Sequence, residues 1–162
     1  MNLKRGISLS LLLIALDQII KIVIYRYFMD VEMNLLGDIV YFSPIFNEDI
    51  SWTSAKTGFK FSLEVHIVFS IMAVIAMIIL GKKYRHEYED MKYVVWAYWI
   101  ALAGAMCSVI DRVFWGTSLD YIGLKGCFVF DLKDVLIDAL YVISIGVAVK
   151  ESKKGKDYLR SE

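Results

Sequence analysis

Apolar residues concentrate in four runs along the chain, with polar and charged segments between them. The runs cover residues 7–28, 62–80, 93–110 and 128–149. A helix needs about 20 residues to cross a hydrocarbon core of roughly 30 Å, because each residue adds about 1.5 Å. Each run is close to that length, so the pattern predicts an all-α membrane protein with four transmembrane helices.

The segments between the runs are predicted to lie outside the membrane. Residues 29–61 contain β-branched and aromatic residues interrupted by Pro44, which predicts short edge strands or a small β-hairpin. Residues 111–127 form a second outer loop, and residues 150–162 form a charged cytoplasmic tail. No repeat or low-complexity linker divides the chain, so we expect residues 1–162 to form one integral membrane domain.

Composition agrees with a membrane protein. Of the 162 residues, 58% are hydrophobic and one is proline, and a soluble domain of this length needs far fewer apolar residues. No small-x-small cleavage site follows the first run, so we expect it to be a retained anchor and not a signal peptide. The two cysteines do not make a disulfide framework.

Lysine and arginine are distributed unevenly around the four runs. The segments 29–61 and 111–127 together carry Lys56, Lys60, Arg112 and Lys125. The remaining segments carry Lys4, Arg5, Lys82, Lys83, Arg85, Lys92, Lys150, Lys153, Lys154, Lys156 and Arg160. The positive-inside rule therefore places both termini and the 81–92 loop in the cytoplasm. The basic tail suits anionic membrane lipid, and no nucleic-acid partner is expected.

Charged residues within the runs are candidates for function, because burying one alone in a bilayer costs about 3 kcal/mol or more. Asp17 and Lys21 are four residues apart and share one helical face, so they can pair. A stabilising ion pair and a role at a site both remain open for them. Glu64 and His66 are two apart and face different directions, so we expect no metal site and no cofactor.

Two aspartates stand at the ends of adjacent runs. Asp111 closes the third run and Asp134 follows the start of the fourth, so an antiparallel helix pair can bring their carboxylates together near the outer face. Such a pair shares a proton, and it can activate water while it protonates a carbonyl oxygen or a leaving amine. Membrane aspartates also serve proton relays and ion sites, so a small proton-relay or transport protein remains an alternative.

The start of the fourth run is acidic on one side. Asp131, Asp134 and Asp138 are spaced i, i+3, i+7, which puts them on one face of a helix with Lys133 pointing away. An acidic face of this kind needs protein or water around it, and this favours a polar cleft between helices. The role of Asp138 is left open.

At this point the motifs resemble those of the lipoprotein signal peptidases, the signal peptidase II family. The matching stretches, in chain order, are "LDQIIK" with Asp17, Gln18 and Lys21, "FNEDISW" with Asn47, "GAMCSVIDRVFWGTSLDYI" with Asp111, Arg112, Gly116 and Asp120, and "FDLKD" with Phe130 and Asp134.

The resemblance implies a membrane aspartyl endopeptidase that removes signal peptides from diacylglyceryl-modified prolipoproteins before the lipidated cysteine. It implies a monomer in the bacterial plasma (inner) membrane, with the active site near the outer leaflet and Asp111 and Asp134 as catalytic residues. The positions expected to bind substrate or support the site are Asn47, Arg112, Asp17, Lys21, Asp120, Ser108 and Asp131.

Several positions depart from the family pattern. Ser108 and Asp131 stand where the family has asparagine, Lys133 stands where it has alanine beside the second aspartate, and Asp49 and Ile50 replace glycine and alanine in the outer-loop motif. We expect Asp131 to raise the proton affinity of the acidic cluster by like-charge repulsion. These departures motivate a second hypothesis, a catalytically inactive or repurposed relative that binds lipidated peptides.

Overall fold

The computed structural model describes residues 3–47, 62–88 and 90–160, with side chains up to residue 149. Asp49 and Ile50, two of the departures noted above, lie outside the described residues. Four long helices dominate the fold, as predicted. They are α1 (Leu3–Tyr27), α2 (Leu63–Glu87), α3 (Lys92–Ile110) and α4 (Leu132–Arg160).

Three of the helices have the length and hydropathy of membrane spans. These are α1, α2, and α3 together with the single π-helical turn Asp111–Trp115 that extends it. The fourth span stays a prediction, because α4 begins with charged residues and continues to Arg160, past the predicted end at residue 149.

Helix α3 is the centre of the helical layer. It packs against α1, α2 and α4, and 61% of its most apolar window is buried, compared with 22% for α1 and 6% for α2. One cluster of buried side chains on α3 consists of Val95, Tyr98, Trp99 and Leu102. Many apolar side chains on α1 and α2 are instead exposed, as expected of surfaces that contact lipid.

A four-stranded antiparallel sheet lies beside the helices, with strand order β1-β2-β3-β4. Its strands are β1 (Met33–Leu36), β2 (Val40–Asn47), β3 (Ser118–Leu124) and β4 (Val129–Phe130). The small hairpin predicted within residues 29–61 is confirmed as β1 and β2. The prediction of a loop over residues 111–127 is incomplete, because β3 pairs with β2, a strand remote in sequence that local patterns cannot reveal.

Pro44 lies in an inner strand, so the prediction of an edge strand there is wrong. Strand β2 pairs with β1 on one side and β3 on the other. The register with β3 shifts between Phe42 and Ile45, and Pro44 lies within this irregularity. A residue without a backbone N–H is tolerated at such a point because the regular ladder is already interrupted.

Gly104 allows α3 and α4 to approach closely. A Cβ atom built on Gly104 would lie 2.7 Å from the Lys133 carbonyl oxygen and 2.8 Å from Ile137 Cγ1. Both separations are shorter than atomic contacts allow, so a side chain at this position would displace the first turns of α4.

We therefore expect Gly104→Ala to destabilise the protein by about 1–3 kcal/mol through overpacking. The melting temperature of the purified protein in detergent measures this effect. Gly146→Ala is the matched control, because Gly146 is also helical but its Cβ would meet nothing within 4 Å. Equal melting temperatures for the two variants would contradict the close approach described here.

Candidate active site

Seven charged side chains meet where α1, the end of α3, strand β3 and the start of α4 converge. We call them the aspartate–lysine cluster: Asp17, Lys21, Asp111, Asp120, Asp131, Lys133 and Asp134. Six of them are buried, whereas the Asp134 side chain is 39% exposed. The cluster includes six of the nine residues predicted for the site, together with Lys133.

Lys21 connects three carboxylates from different parts of the chain. Its Nζ atom lies 3.0 Å from Asp17 Oδ2, 2.5 Å from Asp111 Oδ2 and 2.6 Å from Asp131 Oδ2. The predicted i, i+4 pair with Asp17 is therefore present and belongs to the site. Since no atom of Lys21 is exposed, its charge depends on these carboxylates for stabilisation.

Gln18 holds the second oxygen of Asp111. Its Nε2 donates to Asp111 Oδ1 and to Asp17 Oδ2, each at 3.0 Å, and its Oε1 accepts from Trp115 Nε1 at 3.1 Å. Gln18 is absent from the residues predicted to support the site. Its position in the "LDQIIK" stretch, next to Asp17, is the signal that could have identified it.

Asp111 is placed by a local change in helix geometry. It begins the π-helical turn Asp111–Trp115, which ends at Gly116 in the left-handed region with φ of 73°. Such wide turns are frequent at functional sites. The turn carries Trp115 toward Gln18 and then allows the chain to enter β3.

Lys133 is turned into the cluster, so the prediction that it points away is wrong. Its Nζ donates to Ser118 Oγ at 2.6 Å. It also lies within 4 Å of four carboxylates: Asp131 at 2.7 Å, Asp120 at 3.4 Å, Asp111 at 3.6 Å and Asp134 at 3.7 Å. The helical-face argument fails because Asp131 precedes α4, and because a lysine stem in the first turn is long enough to reach back.

Asp131 and Asp134 form a reciprocal cap at the start of α4. The Asp131 backbone N–H donates to Asp134 Oδ2, and the Asp134 backbone N–H donates to Asp131 Oδ1, each at 3.2 Å. This is the capping-box arrangement, and both carboxylates also lie at the favourable end of the helix dipole. A structural role therefore accounts for part of their placement, while their other oxygens face Lys133.

Strands β2 and β3 contribute the residues that bind the Asp120 carboxylate. Asn47 Nδ2 donates to Asp120 Oδ2 at 2.7 Å, and Ser118 Oγ donates to Asp120 Oδ1 at 2.6 Å. Asn47 and Ser118 are also paired in the sheet register. Asn47 and Asp120 thus meet as expected, and the sheet fixes Asp120 through one hydrogen bond to each oxygen. Burial raises the pKa of the neighbouring Tyr121 to about 12, so its hydroxyl stays neutral.

Two predicted residues lie beside the cluster and not in it. Arg112 Nη1 donates to the Ser108 carbonyl oxygen at 3.2 Å. Arg112 lines a cavity of about 320 Å³ with Asn47, His66 and Trp115. Ser108 instead lines an apolar groove of about 380 Å³ formed by α2, α3 and α4. The polar cavity and the apolar groove therefore adjoin α3 near its Asp111 end.

Two other kinds of chemistry are disfavoured by the charge of Lys133. Oxygen atoms of Asp120, Asp131 and Asp134 lie within 4.8 Å of one another, close enough for a metal ion, but the Lys133 ammonium already contacts all three. The Ser118–Lys133 contact resembles a serine–lysine nucleophilic pair, which requires a neutral lysine. The surrounding carboxylates stabilise the charged form instead.

Comparison with known proteins gives a consistent result. The family profile described as "Signal peptidase (SPase) II" matches residues 9–150. A protein named "Lipoprotein signal peptidase", from Janthinobacterium sp. (strain Marseille), is 30% identical over 121 residues, which are 72% of this chain and 68% of that protein.

Two solved structures share the fold. A "Bacterial membrane enzyme structure by the in meso method at 2.3 A resolution" aligns with a TM-score of 0.78 and 16% identity, over 94% of this chain and 92% of the other. A second, "Bacterial membrane enzyme structure by the in meso method at 1.9 A resolution", gives 0.73 and 17%, over 90% and 93%.

We expect Lys21→Met to destabilise the protein by about 3–5 kcal/mol, because it removes the ion pair of the buried Asp17 and leaves Asp111 and Asp131 with Lys133 alone. Denaturant unfolding in detergent micelles, followed by near-UV circular dichroism, measures the change. Arg26→Met is the control, since Arg26 is an exposed cation on the same helix. A loss no larger than that of the control would show that Lys21 does not stabilise the cluster.

Proposed function

The chain belongs to the signal peptidase II family, and on that basis we propose that it is a membrane aspartyl endopeptidase acting on prolipoproteins. It removes signal peptides from diacylglyceryl-modified precursors before the lipidated cysteine. The observation that carries the proposal is the meeting of Asp111 and Asp134 in one buried cluster that opens to solvent at Asp134. An aspartic peptidase needs two carboxyl groups of this kind, one of which is ionised and one protonated.

Asp111 and Asp134 divide the proton transfers in this proposal. The ionised carboxylate accepts a proton from water, the oxygen attacks the scissile carbonyl carbon, and the protonated carboxyl donates to the carbonyl oxygen. When the tetrahedral intermediate collapses, the C–N bond breaks and the carboxyl group that took the proton from water gives it to the leaving nitrogen. The other carboxylate takes back a proton from a hydroxyl group of the intermediate. Lys21 and Gln18 position Asp111 for these steps by binding one oxygen each.

The surroundings of the cluster suit a substrate that is partly peptide and partly lipid. The polar cavity at Asn47 and Arg112 offers hydrogen-bonding groups to a peptide backbone. The apolar groove at Ser108 suits hydrocarbon, either acyl chains or the signal-peptide helix. We place the cluster near the outer leaflet of a bacterial plasma membrane with both termini in the cytoplasm, because the lysine and arginine distribution favours that orientation.

A second candidate function is an inactive relative that binds lipidated peptides. The observation that favours it is the position of Lys133, whose ammonium lies within 4 Å of both Asp111 and Asp134. A cation there stabilises two ionised carboxylates, whereas the reaction requires that one of them hold a proton. Cleavage by the purified protein decides between the two candidates.

Asp111→Asn and Asp134→Asn should each lower the cleavage rate by about 100-fold or more, because each removes a proton-transfer group. The assay is hydrolysis of a diacylglyceryl-modified prolipoprotein peptide in detergent, with products identified by mass spectrometry. Asp138→Asn is the matched control, since Asp138 is an exposed aspartate on the same helix. A folded parent that binds the peptide without cleaving it would identify a binding protein.

Asp131→Asn should move the pH–rate profile to lower pH, by about one unit. Removing this anion leaves Lys21 and Lys133 less compensated, so their charge favours the ionised form of the remaining carboxylates. The proton needed for catalysis is then lost at lower pH. The pH dependence of kcat/KM tests this shift, and an unchanged profile would mean that Asp131 acts only as the helix cap.

A further inference from the structure

Lys133 has an unusual position for a residue outside the predicted site. It is 4% exposed, and its ammonium contacts carboxylates contributed by the end of α3, by β3 and by the start of α4. It is closer to Asp131 (2.7 Å) than to either proposed catalytic aspartate (3.6 and 3.7 Å). It therefore lies within 4 Å of both Asp111 and Asp134 and is anchored at a third carboxylate.

The charged groups around Lys133 determine its electrostatic effect on Asp111 and Asp134. The groups that face it are Lys21 from α1, Asp111 from the end of α3, Asp120 from β3, and Asp131 and Asp134 from the start of α4. Lys21 already supplies one ammonium to Asp111. A second buried ammonium lowers the cost of negative charge on the carboxylates around it.

We propose that Lys133 is a positioning residue that restrains catalysis, because its ammonium group lies within 4 Å of both Asp111 and Asp134, favours negative charge on that pair and ties it to Asp131. This inference rests on the proposed peptidase function. Lys133 acts through the aspartates and does not touch the substrate, since it is buried behind the half-exposed Asp134. The parent protein is then a slow peptidase whose pH optimum is lower than that of a variant without this ammonium.

The test compares Lys133→Ala and Lys133→Met, which remove the charge, with Lys133→Arg, which keeps it. Removing the ammonium allows the pair to keep its proton to higher pH. We therefore expect the pH–rate profile of the Ala and Met variants to move up by about one unit, and kcat at neutral pH to rise about tenfold. KM should stay within about twofold of the parent value, because substrate contacts are unchanged. The Arg variant should keep the parent's pH profile.

A charge-balanced variant protects the test from a failure to fold. Asp131→Asn/Lys133→Ala removes one anion and one cation, and it is compared with Asp131→Asn alone. The double variant should cleave faster at neutral pH, with its profile at higher pH than that of the single variant. Melting temperatures and binding of the lipidated peptide are measured for every variant, so that each rate refers to folded protein.

The outcomes separate this inference from the proposed function. Equal kcat and equal pH profiles in the parent and in the variants without Lys133 would overturn the inference and leave the peptidase standing. If neither the parent nor any folded, peptide-binding variant cleaves, the peptidase proposal falls and the inference falls with it. Cleavage by Lys133→Ala with little or none by the parent would support the inference in its strongest form.

Discussion

The burial of ionised groups is the constraint that organises this structure. Lys21, with no exposed atom, requires carboxylates around it, and these come from α1, from the end of α3 and from the residue before α4. An isolated buried charge costs several kcal/mol, whereas a charge held by hydrogen-bonded partners can be retained. The ion pairs of Lys21 therefore fix how the three helices meet, and Gly104 gives α3 and α4 the space to do so.

The sheet supplies further hydrogen-bonding partners for the buried charges of the cluster. Asp120 receives one hydrogen bond from Asn47 on β2 and one from Ser118 on its own strand, and Lys133 approaches the same oxygen as Ser118. The pairing of Asn47 with Ser118 in the β2–β3 register sets these contacts. A sheet built from two segments remote in sequence thus holds one side of the cluster, and α1, α3 and α4 hold the other.

Predictions from the sequence succeeded where the signal was local. Apolar runs of spanning length identified the helices, and the spacing of Asp17 and Lys21 predicted their ion pair. Predictions failed where the structure depends on residues that are distant in sequence. Strand β3 was not predicted because it forms by pairing with β2. The same pairing makes β2, the strand that contains Pro44, an inner strand. The predicted direction of the Lys133 side chain was wrong, because carboxylates on other elements determine it and its place on a helical face does not.

The two buried lysines stabilise the same acidic cluster and have opposite consequences for the proposed reaction. Lys21 and Gln18 bind separate oxygens of Asp111 and fix its orientation, which a general acid or base requires. The ammonium of Lys133 instead lies within 4 Å of both proposed catalytic aspartates, Asp111 and Asp134. One buried ammonium is compatible with a shared proton among several carboxylates, but each further cation makes that proton harder to retain. The ammonium of Lys133 therefore stabilises the acidic cluster and, in the same position, opposes the protonated carboxyl group that the proposed reaction requires.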